Sequence, residues 1–153
     1  MSEIEVKIVE LEPTRMISAY GFGAEPEGIA WEKIKAFAEN NKLDLANDSV
    51  TTFGFNNPNP SKGSPNYGYE IWLPVARDIE PEGDLRIVDF TGGLYAVTTF
   101  KGLENIGEVW GKLVKWREGS KYKHAHHQWL EELTTYELPL EEYVFNLYLP
   151  IAE

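Results

Sequence analysis

Glu131 lies between Trp129 and Leu133 in the run Gln128-Trp-Leu-Glu-Glu-Leu133. In an extended chain, residues two apart share a face, so this carboxylate stands beside an indole and a leucine. Burying a carboxylate unpaired among apolar groups is costly, and a ligand that brings its own positive charge removes that cost. Two readings are open: a counter-ion for an organic cation, or a surface glutamate at a strand edge. Glu132 follows directly, so a shift of one residue exchanges the candidates. Glu70, in Tyr67-Gly-Tyr-Glu-Ile-Trp72, offers a second acid with Trp72 as its stacking partner, or else an exposed strand residue. Desolvated carboxylates can also serve as general acid or base, and Glu131 would carry that role in an enzyme.

The aromatic residues extend this picture. Five Trp, eight Tyr and seven Phe make up 13% of the chain, more than a small core needs to hide. Rings beside carboxylates form sites for organic cations. Trp31 and Trp110 fall near the starts of two helical segments, and Phe55, Tyr95 and Tyr148 on extended ones; each reads as core or as pocket wall. His124, His126 and His127 have a spacing that can share a metal. They sit beside Lys121 and Lys123 with no acidic ligand in the run, which reads as a solvated connector, so neither metal nor cofactor is expected. The glycine pairs lack the lysine and strand-to-helix context of phosphate loops. No Gly-x-Ser-x-Gly elbow is present, and without cysteine there is no thiol nucleophile, disulfide or thiolate ligand.

A length of 153 residues suits one compact domain over 1–153. The net charge of −11 argues against direct nucleic-acid binding and favours attraction of cations. No apolar run reaches a membrane span and Met1-Ser-Glu-Ile-Glu5 has no signal pattern, so a soluble cytoplasmic protein without membrane contact is expected.

The elements that must position these residues occur twice. Shifting the chain by 79 places Ile8-Val9 on Ile87-Val88, Gly23 on Gly102, Gly28 on Gly107, Trp31 on Trp110 and Lys33 on Lys112. Ten of the forty pairs between 3–42 and 82–121 are identical, several times what unrelated sequence gives. Near the ends, Tyr67–Val75 reads against Tyr143–Ile151. Alternation predicts strands over 3–11, 15–20, 50–55 and 67–75, and again over 85–90, 94–100, 128–133 and 144–151. Gly21–Gly28 reads as a loop, Asn56–Asn66 as a long polar hairpin loop and 121–127 as a polar connector. Helical spacing begins at Ile29, with Asn40-Asn41 as a left-handed cap, and recurs over 106–117. The expectation is an α+β domain of two pseudo-symmetric strand-helix-strand-strand repeats, 3–76 and 82–152, forming an antiparallel sheet with two helices and a central ligand cleft.

With these stretches in view, the chain resembles the GyrI-like family, the effector-binding domain of stand-alone gyrase inhibitors and multidrug-responsive transcription activators. The likeness rests on Thr91-Gly-Gly-Leu-Tyr-Ala-Val97 with Phe100-Lys-Gly102, on Trp116-Arg-Glu-Gly-Ser-Lys-Tyr122 followed by Leu130-Glu131, and on Tyr143–Ile151 ending Leu-Tyr-Leu-Pro-Ile. The resemblance implies a cleft for small, often cationic aromatic compounds, with a glutamate of the penultimate strand among the rings; Glu131 is the matching position. The family often has an aromatic residue two places later, where this chain has Leu133. It shows no helix-turn-helix segment or basic patch of the kind that the regulators use for DNA. The leading expectation is therefore a binding module that senses or sequesters amphipathic cations at Glu131, Trp129, Glu70, Trp72, Tyr95, Trp110, Trp31, Phe55 and Tyr148. The same glutamate could instead serve a hydrolase of reactive electrophiles, and a protein partner such as a regulator or gyrase is a third reading.

Overall fold

Twice along the chain a period of two gives way to a period of 3.6, and each change marks a strand running into a helix. The computed structural model describes residues 4–43, 52–56, 66–102, 105–133 and 144–153. The loop expected over 56–66 lies almost wholly outside these residues. In chain order the elements are β1 (Lys7–Leu11), β2 (Thr14–Gly23), α1 (Pro26–Asn40), β3 (Phe53–Asn56), β4 (Tyr67–Pro74), β5 (Arg86–Phe90), β6 (Gly93–Lys101), α2 (Ile106–Glu118), β7 (Lys123–His124), β8 (Leu130–Leu133) and β9 (Val144–Ala152). The chain divides into a continuous unit, Thr14–Phe90, and a discontinuous one that joins Met1–Pro13 to Thr91–Glu153. In chain order the continuous unit is β2-α1-β3-β4-β5 and the discontinuous one β1-β6-α2-β7-β8-β9, in an α+β architecture with antiparallel pairing where a repeat of strand, helix, strand, strand was expected.

In the continuous unit the strands run β3-β4-β2-β5, every neighbour antiparallel. Ala30, Ile34, Phe37 and Ala38 of α1 pack on Ile17 and Ala19 of β2 and Ile71 and Leu73 of β4. Burying a side chain of the Ile or Phe class contributes about 1.5–3 kcal/mol, so these contacts seat the helix. The strand reaches Gly23 and the helix starts at Pro26, where a loop over Gly21–Gly28 was expected. The reason is close packing. A Cβ on Gly21 would collide with the Pro26 carbonyl and lie 2.9 Å from the Ile29 Cβ, so glycine lets the helix close onto the strand. Pro26 suits the first turn, whose N–H has no helical partner. At the other end the left-handed residue is Lys42, with φ 57°, rather than an asparagine. Asn41, at φ −105°, instead caps the helix by donating its side-chain amide to the Phe37 carbonyl at 2.9 Å.

The discontinuous unit repeats the plan as β8-β9-β6-β1, with β7 added on β9. Val109 and Leu113 of α2 cover Ala96, Leu147, Leu149 and Ile151. The polar connector expected over 121–127 contains β7, in which His124 pairs with Ile151. A ladder uses backbone groups, so a polar sequence forms a short edge strand readily.

The repeats and the units differ by one exchange. The first strand of each repeat joins the sheet of the other repeat: β1 pairs with β6, Lys7 opposite Val97, and β5 pairs with β2, Arg86 opposite Ser18. Gly92 turns the chain back at this crossing with φ 73°, and a Cβ there would collide with the Leu11 carbonyl. Among the described residues no helix is long and apolar enough to cross a membrane.

Candidate functional site

Strand alternation gives each sheet a face packed on its helix and an opposite face. In both units the opposite face carries a carboxylate among aromatic rings.

In the continuous unit this face holds Met16, Ser18 and Tyr20 of β2, Glu70 and Trp72 of β4, Phe53 and Phe55 of β3, and Arg86 and Phe90 of β5; directly opposed pairs such as Phe55 and Glu70 fix the assignment. Glu70 is 2% exposed. Three donors meet at its Oε1: the Ser18 hydroxyl at 2.7 Å, the Trp72 indole at 3.2 Å and the Arg86 Nη2 at 3.0 Å. The Trp72 ring meets Phe55 edge-on at 4.9 Å and Phe90 at 5.6 Å. This carboxylate has an arginine as counter-ion.

In the discontinuous unit the same face holds Tyr95, Val97 and Thr99 of β6, Asn146 and Tyr148 of β9, and Leu130 and Glu132 of β8. Glu132 is half-buried. Its Oε1 accepts from the Tyr148 hydroxyl at 2.6 Å and from the Asn146 amide at 3.1 Å. Thr99 donates to the Asn146 Oδ1 at 2.5 Å, which orients that amide toward Glu132. Tyr95 meets Tyr148 edge-on at 5.6 Å and His127 at 4.8 Å, and donates its hydroxyl to the Gln128 carbonyl. His127 is set by a 2.7 Å bond from Nε2 to the Leu94 carbonyl. Burial, then the neighbouring Glu132, raises the Tyr148 phenol far above its ordinary range, and burial raises Tyr95. Both stay protonated, so Tyr148 is a fixed donor to the carboxylate. Among the described residues no lysine, arginine or histidine forms an ion pair with Glu132.

Glu131 points the other way. It lies opposite Leu147, which packs under α2, so it shares the helix side with Trp129. Trp129 is 39% exposed there, 5.2 Å from the Trp110 ring, with the Arg117 guanidinium 6.0 Å from its centroid. Trp31 is half-buried on α1 against the core of the continuous unit. The structure thus groups Glu70, Trp72 and Phe55, groups Tyr95 and Tyr148 around Glu132, and groups Trp110 with Trp129. Ser18, Arg86, Phe90 and Asn146 were not singled out from the sequence. Asn146 could have been, since it stands opposite Glu70 when Tyr67–Val75 is laid on Tyr143–Ile151.

Solved structures share this fold at low identity. The EcmrR–DNA complex contains a chain that matches at 12% identity with TM-score 0.74, over 100% of this chain and 59% of that one. This chain therefore spans about three-fifths of that protein's length. A hydrolase encoded by lin2189 from Listeria innocua matches at 10% identity, TM-score 0.73, over 98% and 93% of the two chains. SAV2435, solved bound to tetraphenylphosphonium, matches at 12% identity, TM-score 0.59, over 97% and 94%. No curated protein matches by sequence. Residues 4–152 match the GyrI-like small molecule binding domain as a whole, and the chain belongs to that family.

Proposed function

We propose that this domain captures small aromatic cations on the sheet face of the discontinuous unit, with Glu132 as counter-ion and Tyr148, backed by the buried Tyr95, as ring wall. The observation that carries the reading is the pairing of Glu132. Two neutral donors hold its carboxylate, and among the described residues no cation does. A ligand's positive charge then meets this carboxylate without having to displace a counter-ion among the described residues. Cation–π contact with Tyr148 adds about 0.5–2 kcal/mol, and the net charge of −11 draws cations toward the molecule. Tetraphenylphosphonium, the ligand of the SAV2435 structure, has this chemistry. Because the ligand is chosen by rings and one charge, the site accepts a class of compounds rather than one shape.

Titration with tetraphenylphosphonium and with a neutral analogue, triphenylphosphine oxide, tests the reading. Glu132→Gln should weaken the cation by about tenfold or more, the scale of a charge-assisted contact, and leave the neutral compound unchanged. Glu131→Gln should leave both unchanged. Loss with Glu131→Gln instead would move the site to the helix side, beside Trp129. A second reading draws on the same pair: Glu132, oriented by the Tyr148 hydroxyl at 2.6 Å, takes a proton from a water that attacks a strained epoxide, and the alkoxide released takes its proton from solvent. Incubation with epoxides and analysis for diols, lost in both Glu132→Gln and Tyr148→Phe, tests that reading.

A further inference from the structure

Arg86 and Glu70 form the least ordinary pair in the continuous unit. The carboxylate is 2% exposed, whereas the arginine side chain is 63% exposed. The guanidinium therefore reaches in from solvent and places Nη2 3.0 Å from Oε1, where Ser18 and Trp72 also donate. Around that carboxylate the wall is Trp72, with Phe55 4.9 Å and Phe90 5.6 Å from its ring. A buried acid, a flanking indole and a cation entering from water are the components of a receptor for a guanidinium or amine. The duplicate shows what changes when the arginine is absent. Lys7 occupies the position of Arg86, opposite Val97 instead of Ser18, and Asn146 occupies that of Glu70.

We infer that the ring face of the continuous unit is a guanidinium receptor that the chain's own Arg86 occupies. Arg86 plays this part whether or not Glu132 receives a ligand. The native protein then offers solute guanidinium compounds no access to Glu70, and truncating Arg86 opens one place, about one guanidinium wide.

Calorimetric titration of the full chain with ethylguanidinium tests this. The native protein should take none at Glu70. Arg86→Ala should gain one equivalent, keep it in Arg86→Ala/Glu132→Gln, and lose it by about tenfold or more in affinity in Arg86→Ala/Glu70→Gln. A folded Arg86→Ala protein that gains no equivalent overturns the inference, as does a gain that survives Glu70→Gln. Should Arg86→Ala leave the chain unfolded, millimolar ethylguanidinium, but not ethylurea, should restore its circular dichroism and melting transition. Absence of that rescue overturns the inference equally. Failure of the Glu132 reading appears separately, as unchanged tetraphenylphosphonium binding in Glu132→Gln.

Discussion

Tyr148 and Glu132 are joined by one short bond, 2.6 Å long. Its energetic content is that of a hydrogen bond to a charged acceptor, so Tyr148→Phe should cost about 1.5–3 kcal/mol of stability, measurable by denaturant unfolding. The phenol also ties stability to pH. Burial and the adjacent carboxylate raise the folded-state pKa above the unfolded value near 10, and burial does the same for Tyr95. The unfolded chain thus ionises first. The contribution is full below pH 10 and falls progressively as pH rises above it. Ultraviolet titration should show two tyrosines that ionise only on alkaline unfolding and regain that protection on refolding; absence of any such protected pair would remove this account. The choice between Glu131 and Glu132 was not legible from local pattern, because both neighbours of each are apolar or acidic. Register gives only the face of each: Glu132 opposes Asn146 and Glu131 opposes Leu147, and pairing across strands is a long-range fact.

At the scale of elements, both helices were legible because their apolar residues repeat at helical spacing and their outer faces are charged. Their starts were less so. Gly21 looks like loop punctuation, but it serves close packing between β2 and α1. Gly21→Ala should therefore destabilise by about 1–3 kcal/mol, the usual cost of overpacking, and lower the melting temperature. Gly28→Ala, where a Cβ meets nothing within 4 Å, should not. Lys33 ties the same elements together, donating to the Tyr20 carbonyl at 2.7 Å and to Asp84 at 2.6 Å. That bond lowers the Asp84 pKa, yet the Asp84 side chain is 70% exposed, so solvent screens the pair and Asp84→Asn should change stability by less than about 1 kcal/mol.

For the whole molecule, duplication was legible in the matching residues and the exchange of strands was not. Sequence similarity shows that β1 and β5 are counterparts, but not which sheet each completes. The pairings give an outcome that similarity alone would not suggest. Deleting residues 1–11 should raise amide exchange in β6, about ninety residues away in sequence, and leave β2 close to native; the reverse pattern would contradict the assignment of β1 to β6. The crossing also bears on synthesis. Lys7 leaves the ribosome long before Val97 exists, and at about 5–20 residues per second the delay is roughly 5–18 s. For that time Lys7-Ile-Val-Glu-Leu11 is a strand without a ladder. Lys7 and Glu10 then act as chaperones of their own segment, since charge on an unpaired strand discourages pairing with a neighbouring nascent chain.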